Sequence, residues 1–119
     1  MRYILTLGLL LLVGCASQPT PLSSVQGDWF DYGQARAEKG YLQQSEKQLA
    51  KLDQGNYLNQ ELYTAYIMGY EKGRESYCGQ NAYMLGVTGK PYLGICDQLD
   101  PFFNQDYISG RNSTAGSMF

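Results

Sequence analysis

Three cysteines and no histidine set what this chain of 119 residues can do chemically. Without an imidazole, the commonest general base and the commonest nitrogen ligand for a metal are both missing. The thiols come first. Cys15 closes the run Leu12-Val13-Gly14-Cys15, with a branched apolar residue three places ahead and a small residue just before it. Met1-Arg2 puts a cation in front, and Tyr3 to Val13 form an apolar stretch too short to cross a hydrocarbon core of about 30 Å. This is the pattern of a bacterial lipobox, and it predicts lipidation at Cys15. The thiol would carry a diacylglyceryl group and the amine a third acyl chain. Several chains together give a stable anchor where one binds only marginally.

Once residues 1–14 are removed as a signal peptide and Cys15 is acylated, Cys78 and Cys96 are the remaining thiols. In an oxidising compartment they are expected to form a disulfide. A metal pair is the weaker alternative, since two thiolates without histidine do not complete a zinc site.

Among the carboxylates, Glu71 and Glu75 stand one helical turn apart, the spacing of an acid and base pair, but Lys72 and Arg74 lie beside them. A solvated, charge-balanced face accounts for all four. Asp97, Asp100 and Asp106 lack the alternating spacing and central glycine of a calcium loop. Gly-x-Ser-x-Gly, Ser-x-x-Lys, Gly-x-Gly-x-x-Gly and phosphate-loop patterns are absent. No catalytic residue, metal or cofactor is assigned. Trp29, Tyr70 and Tyr92 are the candidates for a surface that stacks on sugar rings, with core packing as the competing role for Trp29.

Loss of Arg2 with the leader leaves eight basic side chains against eleven acidic ones, so nucleic acid is a poor partner. The expected partners are the membrane, through the lipid, and either an envelope protein or peptidoglycan. Ala16 follows the cysteine where Asp would favour retention at the inner membrane. That points to the periplasmic face of the outer membrane, with inner-membrane anchoring as the alternative. Two functions remain open: a non-catalytic binding or structural module of the envelope, and a glycan-binding or glycan-cleaving accessory.

The elements that must position these groups are mainly α. Residues 15–27, rich in Ser, Pro and Gln, read as a lipidated linker, 28–112 as a small domain and 113–119 as a frayed tail. Asp28 is placed to cap a first helix whose Trp29, Phe30, Gly33, Ala37, Gly40 and Tyr41 share one sector, with a bend or break near Gly40. Leu58, Leu62, Tyr66, Gly69, Gly73 and Tyr77 define a second amphipathic helix. The stripe Gly33, Ala37 and Gly40 opposite Gly69 and Gly73 predicts close helix packing as a two-helix hairpin. Between the cysteines, a Gly-rich loop is a candidate for a small irregular β-hairpin over 79–95. Asp100-Pro101 predicts the cap and first residue of a short C-terminal helix through Phe102, Phe103, Tyr107 and Ile108. An aromatic residue also stands three before a glycine at Phe30/Gly33, Tyr66/Gly69, Tyr70/Gly73 and Tyr107/Gly110, a pattern fitted to sites where a helix meets a neighbour.

This order of elements resembles a family of uncharacterised lipoproteins of Gram-negative bacteria, domain of unknown function 2799. The matching residues are Asp28-Trp29, Gly33, Gly40, Gly69, Gly73, Tyr77-Cys78, Gly86, Gly89, Tyr92, Gly94, Cys96, Phe103, Tyr107 and Gly110. Arg36-Ala37 and Tyr70 depart from the family's pattern. The resemblance implies lipoprotein character and a disulfide, with no established activity.

Overall fold

The computed structural model describes residues 18–113; Cys15, the leader and the tail beyond Ser113 lie outside them. Five helices follow one another, α1 Gln26–Glu38, α2 Glu46–Leu52, α3 Gln60–Cys78, α4 Ala82–Val87 and α5 Phe103–Arg111. No strand occurs among the described residues.

The first helix starts earlier than its sequence suggests. Asp28 is not its cap: α1 begins at Gln26 behind Val25, which offers no side-chain bond, and Asp28 sits in the first turn, where its carboxylate suits the positive end of the helix dipole. That carboxylate accepts from Ser23 Oγ at 2.6 Å, and Trp29 Nε1 donates to the Ser23 carbonyl at 2.9 Å. Thr20, itself buried, donates to the Leu52 carbonyl at 3.2 Å. The end of the predicted linker is thus packed onto the domain.

At the other end, α1 breaks at Gly40. Gly40 N–H bonds the Ala37 carbonyl and Tyr41 N–H the Arg36 carbonyl, at 2.8 and 3.2 Å, the paired closure of a Schellman motif. Its glycine takes φ +82°, which a side chain would strain. The chain then resumes in α2, where Ser45 and Gln48 bond each other's backbone amides in a capping box.

α1 and α3 do not form a hairpin. Gln26 bonds Glu61, Gly69 meets Phe30, Gly73 meets Gln34 and Ala37, and Gly40 meets Tyr77, so both helices run in the same direction. The physical reason is the 39–59 connection, which carries α2 and returns the chain to the starting end before α3 begins. Contact is backbone to backbone. A Cβ placed on Gly33 would lie 2.2 Å from the Tyr66 carbonyl oxygen, and one on Gly69 1.9 Å from that of Phe30.

The same reciprocal arrangement recurs in α4 and α5. A Cβ on Gly86 would lie 2.1 Å from the Tyr107 oxygen, and one on Gly110 2.0 Å from the Tyr83 oxygen. In all four cases the oxygen met belongs to the aromatic residue three places before the partner's glycine. The aromatic-x-x-Gly pattern therefore marks the crossing points of two helix pairs at Phe30/Gly33, Tyr66/Gly69, Tyr83/Gly86 and Tyr107/Gly110, but not at Tyr70/Gly73, where the glycine meets the Gln34 carbonyl instead.

The β-hairpin expected over 79–95 is replaced by α4, which Asn81 caps by accepting from Met84 N at 3.0 Å. Its glycine serves the crossing and not a turn. Asp100-Pro101 likewise forms a turn and not the first residues of α5: Asp100 Oδ1 accepts from Phe102 N, and the helix begins at Phe103. Phe103 is buried, whereas Phe102 and Ile108 face solvent.

Two apolar clusters result. Trp29, Tyr32, Ala37, Leu49, Leu62, Tyr66 and Tyr70 form the first. Tyr77, Ala82, Leu85, Ile95, Cys96 and Phe103 form the second, and the last turn of α3 belongs to it. The Cys78–Cys96 disulfide ties that turn to the segment leading into α5.

Candidate functional site

The tyrosines dominate the polar chemistry of the fold, and most of it is structural. Tyr32 hydroxyl donates to Gln44 Oε1 at 2.9 Å, Tyr63 hydroxyl donates to the Gln44 carbonyl at 3.1 Å, and Tyr66 hydroxyl accepts from Gln44 N at 2.8 Å. Tyr70 hydroxyl donates to the Tyr41 carbonyl at 2.7 Å. Four phenols thus hold the extended segment between α1 and α2. Burial raises the pKa of Tyr32, Tyr70 and Tyr66, the last pushed up to about 12 against an opposing bond from Gln44. They stay protonated, and Tyr32 and Tyr70 remain donors.

The sugar-stacking surface expected of Trp29, Tyr70 and Tyr92 is not formed. Trp29 is 0% and Tyr70 2% exposed, because each lies on the face that α1 and α3 turn toward their common core. Tyr92 is half-buried with its ring against Phe103 and Tyr107, at 5.0 and 5.5 Å between centroids. Its hydroxyl donates to Asp97 Oδ1 and accepts from Cys96 N. All three are packing residues.

Glu71 forms an ion pair with Arg74, and Glu75 is exposed one turn on. Gly33, Ala37, Gly69 and Gly73 lie at the crossing of α1 and α3, and Gly40 against the Tyr77 ring. Among the described residues no group of three or more His, Cys, Asp or Glu is arranged to hold a metal. No helix among them is long and apolar enough to cross a membrane.

Two of the concavities among the described residues border both α1 and α3. The larger, about 480 Å³, lies between the starting ends of α1 and α3, walled by Phe30, Ala65 and Met68 with Glu61 as its charged group. The other, about 350 Å³, opens where the two helix pairs meet, between the end of α1, the end of α3 and the loop after α4. Tyr77, Lys39, Lys90, Tyr41, Leu85 and Leu93 are among its walls. Sequence reasoning placed Tyr77 on the core face of its helix and found no role for Lys39 or Lys90. The convergence of these residues depends on how the two pairs dock, which helical periodicity does not encode.

The chain belongs to the family described as "Protein of unknown function (DUF2799)", whose model matches residues 28–112. No curated protein and no solved structure matches the chain.

Proposed function

We propose that this is a lipid-anchored envelope lipoprotein, held at Cys15 on the periplasmic face of the outer membrane, whose domain acts as a non-catalytic binding or structural module. The observation that carries this reading is the Cys78–Cys96 disulfide. Such bonds persist outside the reducing cytosol, in the compartment to which a lipobox leader delivers a protein. The leader and the disulfide are independent features that agree on compartment.

The glycan-cleaving alternative has less support. Cleavage needs a carboxylic acid and a carboxylate facing one another across a substrate. Glu71 is occupied by Arg74, and Glu75 projects from an exposed face with Lys72 three residues before it. Binding asks only for a shaped surface with donors, and the junction between the helix pairs provides one.

The test is metabolic labelling with a palmitate analogue. The wild-type chain should be labelled and Cys15→Ser unlabelled, with uncleaved precursor accumulating. Normal labelling of the variant would sink the assignment.

A further inference from the structure

Seven tyrosines are buried or half-buried in the two clusters, and six of them have hydrogen-bonded hydroxyls: Tyr32, Tyr63, Tyr66, Tyr70, Tyr92 and Tyr107. Tyr77 is the exception. The residue is 9% exposed, yet among the described residues its hydroxyl has no partner. Nor is that oxygen sealed in. The enclosed side-chain atoms without partners are Asp53 Oδ1 and Arg74 Nε, whereas Tyr77 lines the junction cleft and its oxygen retains access to solvent there.

The ring is closely packed. Gly40, with its positive φ, passes so close that an added Cβ would lie 2.7 Å from the Tyr77 ring, and Phe103 packs on it at 6.2 Å between centroids. Burial, with Tyr107 nearby, keeps the phenol above its ordinary pKa, so it is a donor at neutral pH.

Two further donors share the cleft. Lys39 and Lys90 are exposed, and neither enters an ion pair among the described residues. The carboxylate in the lining, Glu38, accepts from Gln34 Nε2 at 3.1 Å on its own helix. In an acidic protein, this cleft is lined by a phenol and two lysines against one carboxylate. Tyr41, 44% exposed, together with Leu85 and Leu93, adds apolar wall. A few convergent donors on an apolar frame, in a volume near the lower end for small-molecule sites, describe a ligand pocket.

From this geometry we infer that the junction cleft binds a carboxylate-bearing amino sugar, with Tyr77, Lys39 and Lys90 donating to the carboxylate and Tyr41 and Leu93 flanking the ring. The inference rests on the envelope reading for its choice of ligand and gives that module a defined ligand class. Two ammonium groups against the single Glu38 carboxylate leave the lining net positive, and the phenol bonds a carboxylate more strongly than a neutral acceptor, so the cleft favours an acidic sugar over its neutral counterpart.

The test uses the full chain purified in detergent, titrated with N-acetylmuramic acid and with N-acetylglucosamine, the same sugar without its lactyl carboxylate. Tyrosine ring signals from selectively labelled protein are followed by NMR. The acidic sugar should shift the Tyr77 signal saturably and bind at least about tenfold more tightly than the neutral one, the discrimination expected of charge-assisted hydrogen bonds. Tyr77→Phe keeps the packed ring and removes the hydroxyl. It should leave urea unfolding unchanged and weaken binding about tenfold. Lys39→Gln with Lys90→Gln, both on exposed side chains, should weaken it further and remove its salt dependence. Failure of the acidic sugar to bind, equal binding of the two sugars, tighter binding of inorganic phosphate, or unchanged affinity in Tyr77→Phe would each overturn the inference. None of these bears on lipidation at Cys15, which is read separately by labelling.

Discussion

At Gly69 the chain has no room for a methyl group. An added Cβ would stand 1.9 Å from the Phe30 carbonyl oxygen, and because the obstacle is backbone, the helices themselves must part. Gly69→Ala should therefore destabilise by about 1–3 kcal/mol, outweighing the roughly 1 kcal/mol that alanine gains in helix propensity. Gly27 is the internal control: it is likewise a helical glycine, in α1, but nothing approaches its Cβ position within 4 Å. Gly27→Ala should be neutral or stabilising by up to about 1 kcal/mol. Urea unfolding of both variants decides the matter, and equal shifts would mean that the close crossing does not govern stability. The tyrosines make a second expectation at this scale. Tyr66 titrates at about 12 in the fold against 10 for a free phenol, with burial as the main cause, so the native state holds its proton more tightly. Its contribution is complete below pH 10 and is lost as pH rises from 10 to about 12. Urea midpoints followed through Trp29 fluorescence should fall across that window. A flat profile would mean that these phenols are not buried.

At the scale of elements, the disulfide and the two helix pairs divide the labour. The first pair has its aromatic core and the capping box of α2. The second is short: α4 has six residues and α5 nine, too few to be stable helices alone. Cys78–Cys96 spans 18 residues and encloses α4, so its loss should cost about 3 kcal/mol in the chain-entropy account. With both cysteines changed to serine, hydrogen exchange should accelerate around Leu85 and Phe103 and stay slow around Tyr66 and Trp29. Uniform acceleration would show that the two clusters open as one. This division was only partly legible in the sequence. Helical periodicity marked α1 and α3, and the glycine stripes marked where they touch. The direction of α3 was not legible, because a stripe identifies a face and not a polarity. α4 was hidden because Gly86 and Gly89 within a short Tyr-rich run suit a turn as well as a crossing. Tyr83/Gly86 matched the aromatic-x-x-Gly pattern already visible at Tyr107/Gly110, and that signal identifies the second pair. The junction cleft had no signal at all, since its donors come from three separate elements.

For the whole molecule, the question is whether the domain acts by binding or by chemistry, and the carboxylates of α3 separate the two. A catalytic carboxylate normally supplies orders of magnitude in rate, whereas an exposed ion pair is worth about 0–1 kcal/mol of stability. Glu71 is half-buried beside Arg74, and Glu75 is exposed. If the protein is a binding or structural module, Glu71→Gln with Glu75→Gln should fold at wild-type abundance and fully complement any phenotype of the deletion strain. Gly73→Leu should not: even a Cβ there would lie 2.3 Å from the Gln34 carbonyl oxygen, so the crossing of α1 and α3 would be forced apart. Abundance by immunoblot and unfolding of the purified variants separate loss of fold from loss of action. Should the double Gln variant be stable and abundant yet fail to complement, the α3 carboxylates would be doing acid–base work, and the glycan-cleaving reading would replace the binding one.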